Sequence, residues 1–204
     1  TGRPLFQITS NPTFIVSVLS GMVGYGTMSM IMTATPIAMV GCGFGINESA
    51  GVIQWHVMGM FIPALFTGHL INRFGVLPIV FTGLVLLMGC VATAIAGIDI
   101  MNFTIALVAL GLGWNFTFVG ASSLLTETYH PSERAKVQAT NDFLVFGTAA
   151  LGSVSAGAML DAYDWNTVNL FALPLIALTA LVVIWYALTH HRKLRLLKEA
   201  EETA

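Results

Sequence analysis

Gly68-His69-Leu70-Ile71-Asn72-Arg73-Phe74-Gly75 links two long apolar stretches and holds the only Asp, Glu, Lys or Arg between Ala50 and Ala96. The stretch before it, Ala50 to Ile71, and the stretch after it, Leu77 to Ala96, are each near or above the ~20 residues that a helix needs to cross a hydrocarbon core of about 30 Å. The turn Asn72-Arg73-Phe74-Gly75 is too short to do more than reverse the chain, so the two helices are antiparallel neighbours. Gly68 and Gly75 permit close helix contact and a tight turn. Arg73 places this turn on the cytoplasmic side, because arginine and lysine concentrate in the short inner connections of membrane proteins.

The same reading extends in both directions. Apolar stretches also run from Thr13 to Met39, Phe103 to Thr126, Val137 to Leu160 and Val168 to Leu188, giving six spans in all. Arg3 precedes the first span, Arg134 and Lys136 follow the fourth, and Arg192, Lys193, Arg195 and Lys198 follow the sixth. The other connections carry only Glu48, Asp99, and Asp161 with Asp164. Every basic residue therefore falls on one side, and both termini are cytoplasmic. The expected fold is an all-α membrane bundle, N-in and C-in, with residues 1–189 as the transmembrane domain and 190–204 as a charged cytoplasmic tail.

Composition supports a membrane solvent. Hydrophobic residues make up 56% of the chain, charged residues 9%, and mean hydropathy is +0.82. A soluble domain carries about 25% charged residues. Cys42 and Cys90 lack the spacing of a metal site or of a disulfide framework. The first span is too long for a signal peptide and has no cleavage-like end. The chain opens at Thr1, which points to a processed product or to part of something longer.

Local signals refine the boundaries. Asn11-Pro12-Thr13 reads as a helix start with Pro12 in the first turn. After the glycine-rich outer turn Gly41 to Asn47, Asn47 or Ser49 is expected to cap the second helix. Ser132 is the expected cap of a short interfacial helix leading into the fifth span. Gly24-Tyr25-Gly26 and Gly113-Trp114-Asn115 lie near the middles of the first and fourth spans, which cross in opposite directions. This spacing matches an inverted 3+3 repeat, although glycine and aromatics are common enough in such helices to coincide by chance.

The stretch from Gly68 to Gly75 resembles the signature G-x-L-x-D-R-x-G of the major facilitator superfamily, with Asn72 in the place of the usual aspartate. Glu127-Thr128-Tyr129-His130-Pro131-Ser132-Glu133-Arg134-Ala135-Lys136 is similar to that family's connection between its tenth and eleventh helices. With six helices, not twelve, the chain resembles the C-terminal half of such a transporter. The resemblance implies that Gly68, Asn72, Arg73, Gly75, Glu127 and Arg134 belong to a cytoplasmic gate, with Arg73 latched to Glu127 and the latch weakened by the missing aspartate. The alternative is that Arg73 is only a charge anchor. The resemblance also implies a matching N-terminal half and a substrate cavity lined by the first and fourth spans.

Three groups of residues within the spans are candidates for function. Asp142 is an ionisable group inside the fifth span, where a charge is costly and by default functional. Its nearness to the cytoplasmic face favours a structural or gating role over that of a proton carrier. His56, with Gln54, lies in the outer third of the second span, either as a group that titrates near neutral pH or as a neutral helix contact. Tyr25, Trp114, Asn115 and Phe118 join aromatic surface to hydrogen-bonding groups near mid-membrane. Tyr25 and Asn115 are expected substrate contacts with Trp114 and Phe118 as walls, and ordinary helix packing is the competing reading. Asn115 in hydrocarbon must find a partner, either another helix or a ligand.

Other classes fit poorly. Gly120-Ala121-Ser122-Ser123 in a six-span chain suggests an intramembrane serine protease, but its proton-accepting histidine is missing from the fifth and sixth spans. Channel filters repeat, and none is visible. No phosphate loop, catalytic carboxylate pair, metal-ligand cluster or nucleic-acid-binding patch is present, so neither a cofactor nor a metal is expected. The reading is secondary transport of a small, neutral, amphipathic or weakly cationic molecule by alternating access, in the lipid bilayer of a bacterial inner membrane. A non-transporting scaffold is the alternative.

Overall fold

The computed structural model describes residues 2–202, with side-chain surroundings over 2–190. Its elements are α1 (Leu5–Thr9), α2 (Pro12–Gly41), α3 (Ile46–Phe61), α4 (Ala64–Phe74), α5 (Val76–Ala96), α6 (Ile100–Thr126), α7 (Arg134–Ala162) and α8 (Trp165–Glu202), with a 3-10 turn at Pro131–Glu133 ahead of α7. Lipid offers no partner to a free N–H or C=O, so a helix is the form in which each of these apolar stretches satisfies its own backbone. Six units are long and apolar enough to cross a membrane, with α3 and α4 together making the second. The tail charges Arg192, Lys193, Arg195 and Lys198 lie outside the described side chains.

The packing has a two-fold logic. Helices α2 and α6 meet each other at the centre. Helix α2 packs on α7 and α8, α6 packs on α3 and α5, and α5 meets α8. Exchanging the first three spans for the last three maps one set of contacts onto the other. Because an odd number of crossings separates the partners, the repeat is inverted.

Close helix approach depends on glycine, because between apolar helices in lipid the attraction comes from packing and not from expelled water. A Cβ at Gly111 would lie 2.5 Å from the His56 carbonyl oxygen and 2.8 Å from the Met60 nitrogen. A Cβ at Gly152 would lie 2.7 Å from the Gly26 carbonyl. These contacts set the α3–α6 and α2–α7 crossings at backbone distance.

The second span is broken, where a continuous helix was expected. Pro63 has no N–H to continue the ladder, and the helix stops at Phe61 and resumes at Ala64. The Asn115 amide from α6 reaches the gap: Nδ2 donates to the Met60 carbonyl at 2.9 Å, and the Thr67 hydroxyl donates to Oδ1 at 2.6 Å. The Thr67 oxygen also lies 2.7 Å from the Pro63 carbonyl, so its one proton is shared between two acceptors.

The inner end is closed by a contact between residues 130 positions apart. Arg3 pairs with Glu133 at 2.7 Å, and its backbone N–H and Nε donate to the same carboxylate at 2.7 and 3.0 Å. A further Arg3 N–H reaches the Thr128 carbonyl at 2.9 Å, and the Lys136 ammonium donates to the Arg3 carbonyl. Glu133 is 1% exposed. Helix α1 forms ahead of the first span, and it buries Ile8 with Phe14, Val18, Leu125 and Val137. Asn11 caps α2 through the Thr13 N–H as expected. The other caps differ. Glu48 accepts from the Gly45 N–H, and Glu133 accepts from the His130 N–H, so neither Asn47 nor Ser49 caps α3 and Ser132 caps nothing. In both cases a longer carboxylate three residues on reaches back to the first free N–H.

Two predictions follow from this packing. Gly111→Ala forces α3 away from α6 and lowers the melting temperature in detergent, with an overpacking cost of about 1–3 kcal/mol. Gly147→Ala leaves it unchanged, because no atom lies within 4 Å of the added methyl. The guanidinium and backbone donors around Glu133 hold its carboxyl below the usual carboxylate range. A depressed folded-state pKa stabilises above the unfolded value and is lost as pH falls toward the folded one. Glu133→Gln therefore lowers the melting temperature at pH 7, and the gap to the parent narrows below about pH 4.

Candidate functional site

An array of aromatic rings crosses four helices at one depth. Tyr25 on α2 meets Trp114 and Phe118 on α6 edge to face, at centroid distances of 5.4 and 5.3 Å, and Phe146 on α7 at 5.4 Å. Trp114 and Phe118 stack nearly parallel, 9° apart at 5.3 Å. Phe61, at the end of α3, meets Trp114 edge to face at 6.4 Å. These are the offset and T-shaped geometries that ring quadrupoles favour. Tyr25, Phe61, Trp114 and Phe146 each lie within about two residues, ~3 Å of helix rise, of the middle of their spans.

The array is closed at its centre and open at its ends. Trp114 is 8% exposed, whereas Phe61 is 58% and Phe146 48% exposed. The Trp114 Nε1–H is buried with no hydrogen-bond partner among the described residues. Sequence reasoning placed Tyr25, Trp114 and Phe118 near mid-membrane but missed Phe61 and Phe146. The available signal was that both are aromatics at the middles of their own spans.

The remaining candidates separate. Asn115, expected beside Tyr25 as a substrate contact, is 1% exposed and spends its amide on Met60 and Thr67. It is a clasp on the α3–α4 break, and the ring contacts of Tyr25 are with Trp114, Phe118 and Phe146. His56 is fully buried, and its Nδ1 donates to the Leu107 carbonyl at 2.9 Å. A carbonyl only accepts, so Nδ1 carries a proton. The ring joins α3 to α6 in the way expected of a helix contact. Gln54, two residues away, is exposed.

The expected latch between Arg73 and Glu127 is not formed. Arg73 is exposed and lies over the Phe74 ring, 5.4 Å from its centroid. Glu127 shares a crevice with Phe74, Gly75, Leu77 and Tyr186, and the only ion pair among the described residues is Arg3–Glu133. Gly75 adopts φ +90° between α4 and α5, which explains the glycine at that turn. Gly68, Asn72 and Arg134 are exposed at or near the inner end. Asp142 is exposed, and its one polar partner is the neighbouring Asn141 amide at 3.1 Å. It lies beyond the first turn of α7, where a helix dipole no longer helps a carboxylate. It sits four residues before Phe146, on the same helix face and one turn closer to the inner end.

Comparisons with known proteins agree with this architecture. Residues 17–204 match the sequence profile of the Major Facilitator Superfamily. The chain is 46% identical over 184 residues to Riboflavin transporter RfnT of Brucella anthropi, an alignment covering 90% of this chain and 46% of that protein. It is 36% and 32% identical to two uncharacterized MFS-type transporters of Bacillus subtilis, YddS and YdeG, covering 78% of this chain and 37% of each relative. The chain thus spans about half the length of the curated relatives it matches or less. Its six apolar helices, its inverted repeat and this profile match together place it among multi-pass membrane transport proteins: the chain belongs to the Major Facilitator Superfamily.

Proposed function

We propose that this chain is one of two halves of a secondary transporter that moves a small organic molecule across a bacterial inner membrane by alternating access, and that the molecule is riboflavin or a close flavin analogue. The observation that carries the reading is the mid-depth aromatic array on α2, α3, α6 and α7, whose outer rings Phe61 and Phe146 are left uncovered by this half. Transporters of this type hold substrate near the bilayer midplane between two repeats, and irregular backbone at that depth, such as the Pro63 break, marks the same region. The 46% identity to a riboflavin transporter supports the choice of substrate. The second half, supplied by the remainder of a full-length transporter, closes the cavity.

Asp142, whose depth alone favours a structural or gating role, is the coupling group in this reading, because it is exposed and lies beyond the first turn of α7. It is an exposed intramembrane carboxylate on the face that carries Phe146, and it has no cationic partner among the described residues. An ionisable residue within a span marks an ion or proton pathway by default, and such a pathway links cavity opening to a gradient. Gly68, Arg73, Gly75, Glu127 and Arg134 form the inner rim that opens and closes around it. Arg73 and Glu127 form no ion pair among the described residues, and in this reading they pair with groups of the other half.

The test uses the full-length transporter in a bacterium that cannot make riboflavin. Expression supports growth at low external riboflavin, and radiolabelled riboflavin accumulates in cells or vesicles. Asp142→Asn lowers accumulation against a gradient by tenfold or more while leaving substrate exchange at equal concentrations intact. Failure of the full-length protein to move any flavin contradicts the substrate. An Asp142→Asn variant that still accumulates substrate with unchanged pH dependence contradicts the coupling role.

A further inference from the structure

We propose that Phe61 and Phe146 are the ring-binding residues of this half: they stack against a planar, uncharged, fused-ring heterocycle, and Trp114 offers its indole N–H to a carbonyl at the ring's edge. The proposal rests on the transport reading above and assigns the part of the substrate that this half recognises. Phe61 and Phe146 end an unbroken series of ring contacts that runs from α3 through Trp114 and Tyr25 to α7. Each has one side against a neighbouring ring, Trp114 for Phe61 and Tyr25 for Phe146, and a large exposed remainder, 58% and 48%. The inner rings are stacked or edge-on to one another and at least half-buried, so the end rings have the most surface to give a ligand.

Three further observations select the ligand's chemistry. Rings held in place by packing lose little freedom on binding a flat partner, and stacking on them tolerates any fused π-system. The Trp114 Nε1–H is buried and unpaired in a residue that is more than nine-tenths buried. A buried donor without an acceptor is costly, and a carbonyl on a ring edge relieves that cost once the side chains that cover Nε1 part to admit it. The array holds no cation, and its nearest charge is Asp142, one turn inward on α7. An anionic ligand would therefore gain nothing, and of the rings that remain the neutral one is that of the flavin in the transport reading above.

The experiment measures binding to the purified full-length transporter by quenching of flavin fluorescence. The probes are riboflavin, lumichrome (the ring system alone) and ribitol (the chain alone). Lumichrome is expected to displace riboflavin, and ribitol at the same concentration is not. Phe61→Ala and Phe146→Ala each weaken both ring-bearing probes by about five- to tenfold, while Phe61→Tyr and Phe146→Tyr retain parental affinity. Trp114→Phe keeps the stack but weakens lumichrome and riboflavin alike. Leu178→Ala, on the exposed face of α8, changes nothing and controls for general damage to the bundle. Parental affinity in both alanine variants, or ribitol competing as well as lumichrome, overturns the assignment. Stacking that is lost in the alanine variants of a protein that binds flavins yet moves none supports the ring site and contradicts the transport reading. Transport of some other solute by a protein that binds no flat probe does the reverse.

Discussion

The bundle depends on how closely α6 lies against its neighbours. In lipid there is no hydrophobic gain from joining two apolar helices, so the crossings must come from backbone contact and from polar groups that hydrocarbon would otherwise strand. Helix α6 supplies both. Gly111 lets the α3 backbone approach to contact distance, the Leu107 carbonyl receives the buried His56 imidazole, and Asn115 fills the hydrogen bonds that the Pro63 break leaves open. These three devices lie within two turns of α6. They fix the outer part of the second span while α4, of which only Thr67 is buried, stays loosely held.

That division relates structure to mechanism. In the proposed alternating-access reading a half-bundle that rocks as a body needs a rigid centre, a role that suits the α2–α6 pair and the glycine crossings. The same reading needs an inner rim that can rearrange, a role that suits the exposed residues of α4 with Arg73 and Glu127, which form no ion pair among the described residues. The Arg3–Glu133 network works in the opposite sense. It ties the segment ahead of α2 to the loop ahead of α7, so that this segment moves with the bundle. The aromatic array lies between these regions, at mid-depth, on the four helices that leave their rings uncovered.

The architecture was legible in the sequence because it follows from length, apolarity and the placement of a few charges. Arg73 alone between Ala50 and Ala96 sets a side of the membrane, and the lengths of the apolar runs set the crossings. The tertiary partners were not legible. Arg3 and Glu133 are 130 residues apart, and no local pattern joins them. Pairing Arg73 with Glu127 came from resemblance to related transporters, and in this half each residue faces elsewhere. Pro63 was visible as a helix breaker but was read as part of an unbroken span, so the role of Asn115 as its clasp could not be deduced. Of the aromatic array, the glycine-flanked residues Tyr25 and Trp114 were conspicuous. Phe61 and Phe146 were not, because a phenylalanine in a membrane helix reads as lipid-facing until its neighbours are known.

The central claim is that the exposed mid-span rings face a shared aqueous cavity between two halves, not acyl chains. It is tested most directly by thiol accessibility in the full-length transporter in native membranes, with the natural cysteines replaced. With Phe61→Cys and Phe146→Cys, a membrane-impermeant, charged thiol reagent should react at both sites, and riboflavin should slow the reaction, while Leu178→Cys stays unreactive. Sites 61 and 146 that react only with a lipid-soluble maleimide, at rates indifferent to riboflavin and like that of site 178, would contradict it.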